Sequence, residues 1–281
     1  MNEIIASAEL ADGHRPVSDQ FWLDLIAPSE QIRVSVTSSA EHQLVAYAQV
    51  STSGSTPSLE MVTAPDRVDE IGDIARCILT TVVAILRDRG YKSIDWLAFA
   101  PTTQHATVAA EFQLLPTRRL FQMYRSLPTG IGIDLITRPF EPGNDESTWL
   151  QVNQRAFAWN PQQGEWSLES LCARESEPWF EPAGFLLHER QGRLAGFCWT
   201  KVHVTPSGLL GEIYVIAVDP DFHGQGLGRL LTLAGLEHLS SRGITTAMLF
   251  VDADNTAAVG LYDKLGFVVH RTDCMYHGDL R

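Results

Sequence analysis

The chain has 281 residues, of which 44% are hydrophobic and 20% charged, and a formal net charge of −13. That charge argues against nucleic acid as the main partner, because such binding rests on cationic side chains neutralising phosphates. No apolar run approaches the roughly 20 residues a bilayer span requires, and the opening Met-Asn-Glu-Ile-Ile-Ala-Ser-Ala-Glu lacks the basic and long apolar regions of a secretory signal.

In chain order, residues 1–30 place Phe21, Trp22, Leu25 and Ile26 at helical spacing, which predicts a helical lead-in. Alternating runs over 33–38 and 44–50 predict a hairpin, and the Ser-, Gly- and Pro-bearing 51–57 a loop. A strand over 59–63, a helix over 68–89 ended by Gly90, a strand over 94–99, a helix over 104–112 and a strand over 120–126 follow. Pro128-Thr129-Gly130 is the natural joint between two domains, 1–130 and 131–281. The second cycle reads as a strand over 133–138, helices over 147–159 and 168–175, and strands over 184–189 and 194–203. A strand from Gly211 to Val218, a helix ended by Gly243, a strand over 247–251, a helix over 256–265 and a strand over 267–276 complete it. The class is α/β, with each domain a mixed, mostly antiparallel twisted sheet flanked by helices.

The two cycles share a spacing. Glu60 precedes Met123-Tyr124 by the interval that separates Glu212 from Met275-Tyr276. Such repetition implies two copies of one unit. They differ after the glutamate-bearing strand. The first copy has Pro65-Asp66-Arg67-Val68-Asp69-Glu70-Ile71-Gly72, with three carboxylates and one glycine; the second has Pro220-Asp221-Phe222-His223-Gly224-Gln225-Gly226-Leu227-Gly228-Arg229. A Gly-rich turn feeding a helix directs backbone N–H groups outward beside the positive end of the helix dipole, a seat for phosphate. A plain glycine-rich surface turn fits the same residues. Arg229 occupies the place of the third glycine of a dinucleotide fingerprint, and the Gly-Lys-Ser/Thr of a Walker loop is absent. Repulsion among the first copy's carboxylates disfavours a phosphate there, so that half is expected to be structural or substrate-shaping.

Other residues stand out by type. Glu212 opens an apolar strand and reads as a general base or as a solvated strand-end glutamate. Asn255 is placed to cap a helix whose Tyr262 is either a proton donor or a packed ring. Trp159, Trp166, Trp179 and Trp199 either wall a sugar pocket or, for the most part, fill core. Cys77, Cys172, Cys198 and Cys274 show no metal-ligand spacing and no C-x-x-C pair, so they read as reduced thiols.

Residues 223–228 resemble the acyl-CoA pyrophosphate loop of the GNAT superfamily of N-acetyltransferases, (Gln/Arg)-x-x-Gly-x-(Gly/Ala), with His223 where Gln or Arg is usual. Asn255 to Phe267 resembles the family's last motif, Asn-x-x-Ala-x-x-x-Tyr-x-x-x-Gly-Phe. The resemblance implies acetyl-CoA as co-substrate and no metal. On it, Ile216, Ala217 and Val218 pair with the pantetheine arm, His223, Gly224, Gln225, Gly226, Leu227, Gly228 and Arg229 hold the pyrophosphate, and Asn255, Thr256, Ala257, Ala258, Val259 and Gly260 approach the arm. Glu212 becomes the base, and Tyr262 the donor to the leaving thiolate.

Phe185-Leu186-Leu187, the run from Gly196 to His203, Gly211 to Val215, Leu230 to Leu233, Asn153 to Trp166 and Glu177 to Gly184 are similar to the mycothiol synthase family of actinobacteria. Those are tandem GNAT enzymes that acetylate the cysteinyl amine of the pseudodisaccharide Cys-GlcN-Ins. The resemblance implies substrate contacts by Asp19, Lys201 and Glu212, with departures at Gln162 (usually Glu) and Phe250 (often Tyr). On residue types alone, Asp19 is also a helix-start residue, Lys201 a solvated strand lysine and Gln162 a turn amide. A cytoplasmic monomer without membrane or nucleic-acid partners is expected. Rival readings are acetylation of another small amine or peptide N-terminus, and a non-catalytic acyl-CoA-binding module.

Overall fold

Periodicity decides most of the elements. The computed structural model describes residues 2–12, 16–26, 32–37, 43–52, 54 and 56–280. Its first half holds helices α1 (Asn2–Asp12) and α2 (Asp19–Ile26), then strands β1 (Ile32–Thr37), β2 (Leu44–Ser51) and β3 (Ser58–Thr63). Helix α3 (Ile71–Asp88), strand β4 (Ser93–Ala98), helix α4 (Thr103–Glu111) and strand β5 (Leu115–Ser126) follow. Next come β6 (Arg138–Pro139), α5 (Glu146–Ala156), α6 (Pro161–Gly164), α7 (Leu168–Glu175), β7 (Phe185–Arg190) and β8 (Arg193–Thr205). The last third holds β9 (Gly208–Val218), α8 (Leu227–Ser241), β10 (Thr246–Asp252), α9 (Thr256–Lys264) and β11 (Val268–Asp279). No helix among the described residues is long and apolar enough to cross a membrane.

Helix α3 buries Ile74, Ile78, Leu79, Val82 and Leu86, one stripe at three- and four-residue spacing. Each such side chain removed from water contributes about 1.5–3 kcal/mol. The stripe packs on Leu59, Ile94 and Trp96 of the first half's sheet. Helix α8 does the same for the second half, burying Leu231, Leu236 and Leu239 against Ile213, Ala247 and Leu249. It lies close to its sheet because position 235 is glycine: a Cβ there would come within 2.5 Å of Cys198 Sγ. Gly90 and Gly243 end α3 and α8 with φ of +83° and +77°, left-handed turns that suit glycine.

The strands form one continuous sheet in the order β1-β2-β3-β4-β11-β5-β10-β9-β8-β7-β6. β3 with β4 and β9 with β10 are parallel pairs; the other neighbours run antiparallel. The class is thus mixed α/β, a large sheet flanked by helices. The two repeats, however, share the sheet through exchanged strands. β5, from the first repeat, pairs with β10 of the second, and β11, the chain's last strand, inserts between β4 and β5. Cys274 and Tyr276 of β11 accordingly pack in the first half's core.

One predicted strand is corrected. Of residues 133–138, only Arg138 joins the sheet, in a two-residue ladder of Arg138–Pro139 with Leu186 and Leu187. Ile131, Ile133 and Leu135 alternate as a strand would, but they pack onto the second core without pairing. Alternation records one buried face; it does not supply a free edge to bond to.

Candidate functional site

Parallel strands β9 and β10 pair only from Gly211–Ala247 to Ile213–Leu249, although the strands run on to Val218 and Asp252. Beyond that point they part. A bulge in the β8–β9 ladder coincides: Trp199 faces Val215 and Thr200 faces Ile213, so Tyr214 is the extra residue. The parting leaves the backbone polar groups of Ile216, Ala217 and Val218 unpaired with β10.

A cavity of about 310 Å³ opens there. One wall is Ile216, Ala217 and Val218 of β9; another is His223, Gly224 and Gly226 of the turn with Leu227 and Gly228 at the start of α8; the third is the cap residue Asn255 with Ala257, Ala258 and Tyr262 of α9. Gly224 and Gly226 both have φ of +75°, and Gly226 is the left-handed N-cap residue of α8. That turn gathers the first N–H groups of a 15-residue helix at the cavity rim. His223 turns inward, its Nε2 3.0 Å from the carbonyl oxygen of Val218. Gln225 points away and its Oε1 accepts from Arg190 at 2.7 Å. The loop is braced from behind: buried Asp219 accepts from the N–H of Asp221 at 3.0 Å and pairs with Arg155 of α5 at 3.2 Å. Asn255 Oδ1 accepts from the N–H of Ala258 at 3.1 Å, so α9 is capped as its sequence indicates. Gln225, Arg229, Thr256, Val259 and Gly260 flank the cavity in sequence without lining it.

Tyr262 is buried, 7% exposed, against Phe267. Burial pushes its phenol well above the usual tyrosine range, so it is held protonated. A protonated phenol on a residue that lines the cavity can act as a proton donor.

Glu212 lies on the opposite face of the sheet from α8 and α9. It pairs across the ladders with Lys201 and Met248, while its neighbour Ile213 faces the helices. Glu212 is 6% exposed, and its Oε2 lies 2.6 Å from Nε2 of His203, a half-buried ring. Lys201 is also buried. Its ammonium donates to both oxygens of Asp19, each at 2.6 Å, and sits over the rings of Trp179 at 4.3 Å and Tyr214 at 5.0 Å. Burial alone would raise the Asp19 carboxyl; attraction to Lys201, with hydrogen bonds from Lys201 and Tyr214, outweighs it and leaves Asp19 below the ordinary range. Arg174 donates to the Tyr214 hydroxyl at 3.0 Å and stacks over Trp166 at 3.9 Å. Phe250 is on β10, 38% exposed, two residues beyond Met248 on the Glu212 face. The side chain of Gln162, in α6, lies outside the described residues.

The expected residues therefore form two groups on either side of the β9–β10 parting. One is the glycine turn with Tyr262; the other is Glu212 with Lys201 and, from the first half, Asp19. His203, Arg174 and Tyr214 join the second group and were not singled out from sequence. The Gly196–His203 run held His203 in view, but nothing in the run marks which residue its ring meets. Of the tryptophans, Trp199 is core, Trp166 and Trp179 pack on it while carrying the two cations, and Trp159 is exposed.

The Acetyltransferase (GNAT) family model matches residues 149–267. The chain is 44% identical to the mycothiol acetyltransferase of Thermobispora bispora, covering 96% of this chain and 92% of that one. It is 41% identical to the mycothiol acetyltransferase of Acidimicrobium ferrooxidans, covering 96% and 90%. Among solved structures, a GCN5-related N-acetyltransferase from Sphaerobacter thermophilus superposes with a TM-score of 0.75 at 20% identity, covering 99% of this chain and 91% of that one. A tandem GNAT protein from the clavulanic acid biosynthesis pathway gives 0.69 at 15% identity, covering 99% and 93%.

Proposed function

The chain belongs to the mycothiol acetyltransferase family of GNAT N-acetyltransferases, and from that premise we propose that it transfers the acetyl group of acetyl-CoA to the cysteinyl amine of Cys-GlcN-Ins. The observation that carries this reading is the convergence of the glycine turn, the freed edge of β9 and a protonated Tyr262 on one cavity. Residues 131–281 would supply the chemistry and 1–130 the far wall of the acceptor site.

Acetyl-CoA supplies a thioester carbonyl and a thiol leaving group. The glycine turn suits its diphosphate: left-handed φ at Gly224 and Gly226 lets consecutive N–H groups converge, and neither position has room-filling neighbours within 4 Å. On the edge of β9 that faces away from β8, the backbone N–H groups of Ile216 and Val218 can hold the pantetheine arm and face the thioester oxygen, where developing negative charge needs donors. Glu212 accepts the amine proton, and His203 beside it offers a path from a buried carboxylate toward solvent. Tyr262 gives its proton to the departing sulfur. The acceptor's hydroxyls meet the Asp19, Lys201 and Arg174 cluster, where tryptophan faces and ion-paired donors suit a polyol.

Purified protein incubated with acetyl-CoA and Cys-GlcN-Ins tests the reading by mass spectrometry. An N-acetylated thiol product is expected. Turnover of other amines in a panel, with none of this one, would contradict the substrate while leaving the acetyl transfer.

A further inference from the structure

In the repeat, Glu60 of β3 is the counterpart of Glu212 of β9, and their surroundings differ. Glu212 meets a half-buried histidine. Glu60, 7% exposed, has both oxygens occupied by one residue: the Ser18 N–H donates to Oε2 at 2.9 Å and the Ser18 hydroxyl to Oε1 at 2.5 Å. The Ser18 Oγ in turn accepts from the N–H of Phe21 at 3.2 Å, inside the first turn of α2. The next residue along is Asp19, which clasps Lys201. Helix α2 is also held by Gln49, whose Nε2 donates to the Phe21 carbonyl at 3.2 Å, by Phe21 edge-on to Tyr47 at 6.0 Å, by Arg33, which donates to the Asp24 and Leu25 carbonyls at 3.3 Å each, and by Arg174, which donates to Gln20 Oε1 at 3.3 Å. The carboxylate of β3 is the group that holds Ser18, the residue before Asp19, while Arg174 holds Gln20, the residue after it.

We propose that Glu60 is a positioning residue for the acceptor site: through Ser18 it sets where α2 begins, and so where Asp19 meets Lys201. In the first repeat the glutamate has become an anchor for the partner repeat's substrate wall. The inference rests on the reading that Asp19 and Lys201 hold the acceptor. Both oxygens of Glu60 are taken up by Ser18 donors, which agrees with a structural rather than a proton-transfer role. Burial lifts its carboxyl to about 7, against the two Ser18 donors and with the help of Asp24 and Asp19. Those two carboxylates are the charged groups facing it from α2; β2 and β4 set the uncharged Gln49 and Leu97 opposite it.

Steady-state kinetics on the full chain tests this. Glu60→Leu removes the anchor, and Ser18→Ala removes its hydroxyl half while the residue-18 N–H to Oε2 stays. Glu60→Leu is expected to raise the acceptor KM about tenfold and Ser18→Ala about threefold, the equivalent of losing two hydrogen bonds or one, with the acetyl-CoA KM and kcat within about twofold. Glu60→Gln can still accept from the Ser18 N–H and donate to its Oγ, so it should restore most of the acceptor KM. In an Asp19→Ala background, Ser18→Ala should add nothing further. Ser18→Ala gives a second, milder removal should Glu60→Leu fail to fold. An unchanged acceptor KM in Ser18→Ala, an equal rise in both KM values, or full additivity with Asp19→Ala would overturn the proposal. An unchanged acceptor KM in Asp19→Ala alone would instead overturn the acceptor-wall reading beneath it.

Discussion

Asp19→Ala strands a buried ammonium, and the size of the loss can be worked from its surroundings. Removing one partner of a fully buried ion pair costs about 3–5 kcal/mol. Here the Lys201 side chain is 4% exposed but that of Asp19 is 27% exposed, so the pair is screened from one side. The ammonium also keeps the Trp179 and Tyr214 faces at 4.3 and 5.0 Å, worth about 0.5–2 kcal/mol. The expected destabilisation is therefore about 2 kcal/mol. Lys201→Met leaves a partly hydrated carboxylate and should cost about 1 kcal/mol. The double variant should resemble Lys201→Met, which gives a coupling energy of about 2 kcal/mol in magnitude. Urea unfolding of the four proteins measures it, provided the slope with denaturant is unchanged. A coupling below about 0.3 kcal/mol would refute the argument that this contact ties α2 to β8.

Gly226→Ala should lower stability by about 1–2 kcal/mol, since a Cβ at φ +75° is strained even in open space; binding calorimetry should show weaker acetyl-CoA affinity as well. Tyr262→Phe should reduce kcat about 10²-fold, and because burial raises the wild-type phenol, the wild-type rate should show no loss of this donor through the ordinary tyrosine range near 10. Glu60 has a folded pKa raised to about 7 from 4.5, so the folded state binds its proton more tightly than the unfolded state does. Stability from that proton is full below about 4.5 and is lost as pH rises to about 7, by about 3 kcal/mol in total. Urea unfolding between pH 5 and 8 should show this slope in the wild type relative to Glu60→Gln; parallel curves would contradict it.

The local elements were largely legible because one face of each is buried and the other is wet. Leu168–Glu175 and the stripe on α3 show this well. The glycine turn was legible for a different reason: left-handed backbone at 224 and 226 demands a residue type that sequence displays directly. What sequence could not show was partnership. The polar stretch Leu115–Arg119 has no alternating pattern, yet it extends β5 because β11 lies beside it. Nothing in the run after Phe267 says that its strand crosses into the first repeat's sheet, since strand period carries no information about which edge is open. The site divides likewise. Asp19, Lys201 and Glu212 could be named, but the ligation of Glu212 to His203, of Tyr214 to Arg174 and of Glu60 to Ser18 exists only once distant segments have packed. The resemblance of the motifs supplied roles; the fold supplied neighbours.

The central claim is that a carboxylate on one face of the β9–β10 parting and a phenol on the other act on a single acetyl group. Single-turnover acetyl transfer from acetyl-CoA to Cys-GlcN-Ins, compared among wild type, Glu212→Gln and Tyr262→Phe with acetyl-CoA binding measured alongside, tests it most directly. The account predicts that each variant binds acetyl-CoA within about threefold of wild type yet transfers acetyl about 10²-fold or more slowly. Transfer at the wild-type rate by either variant would contradict it.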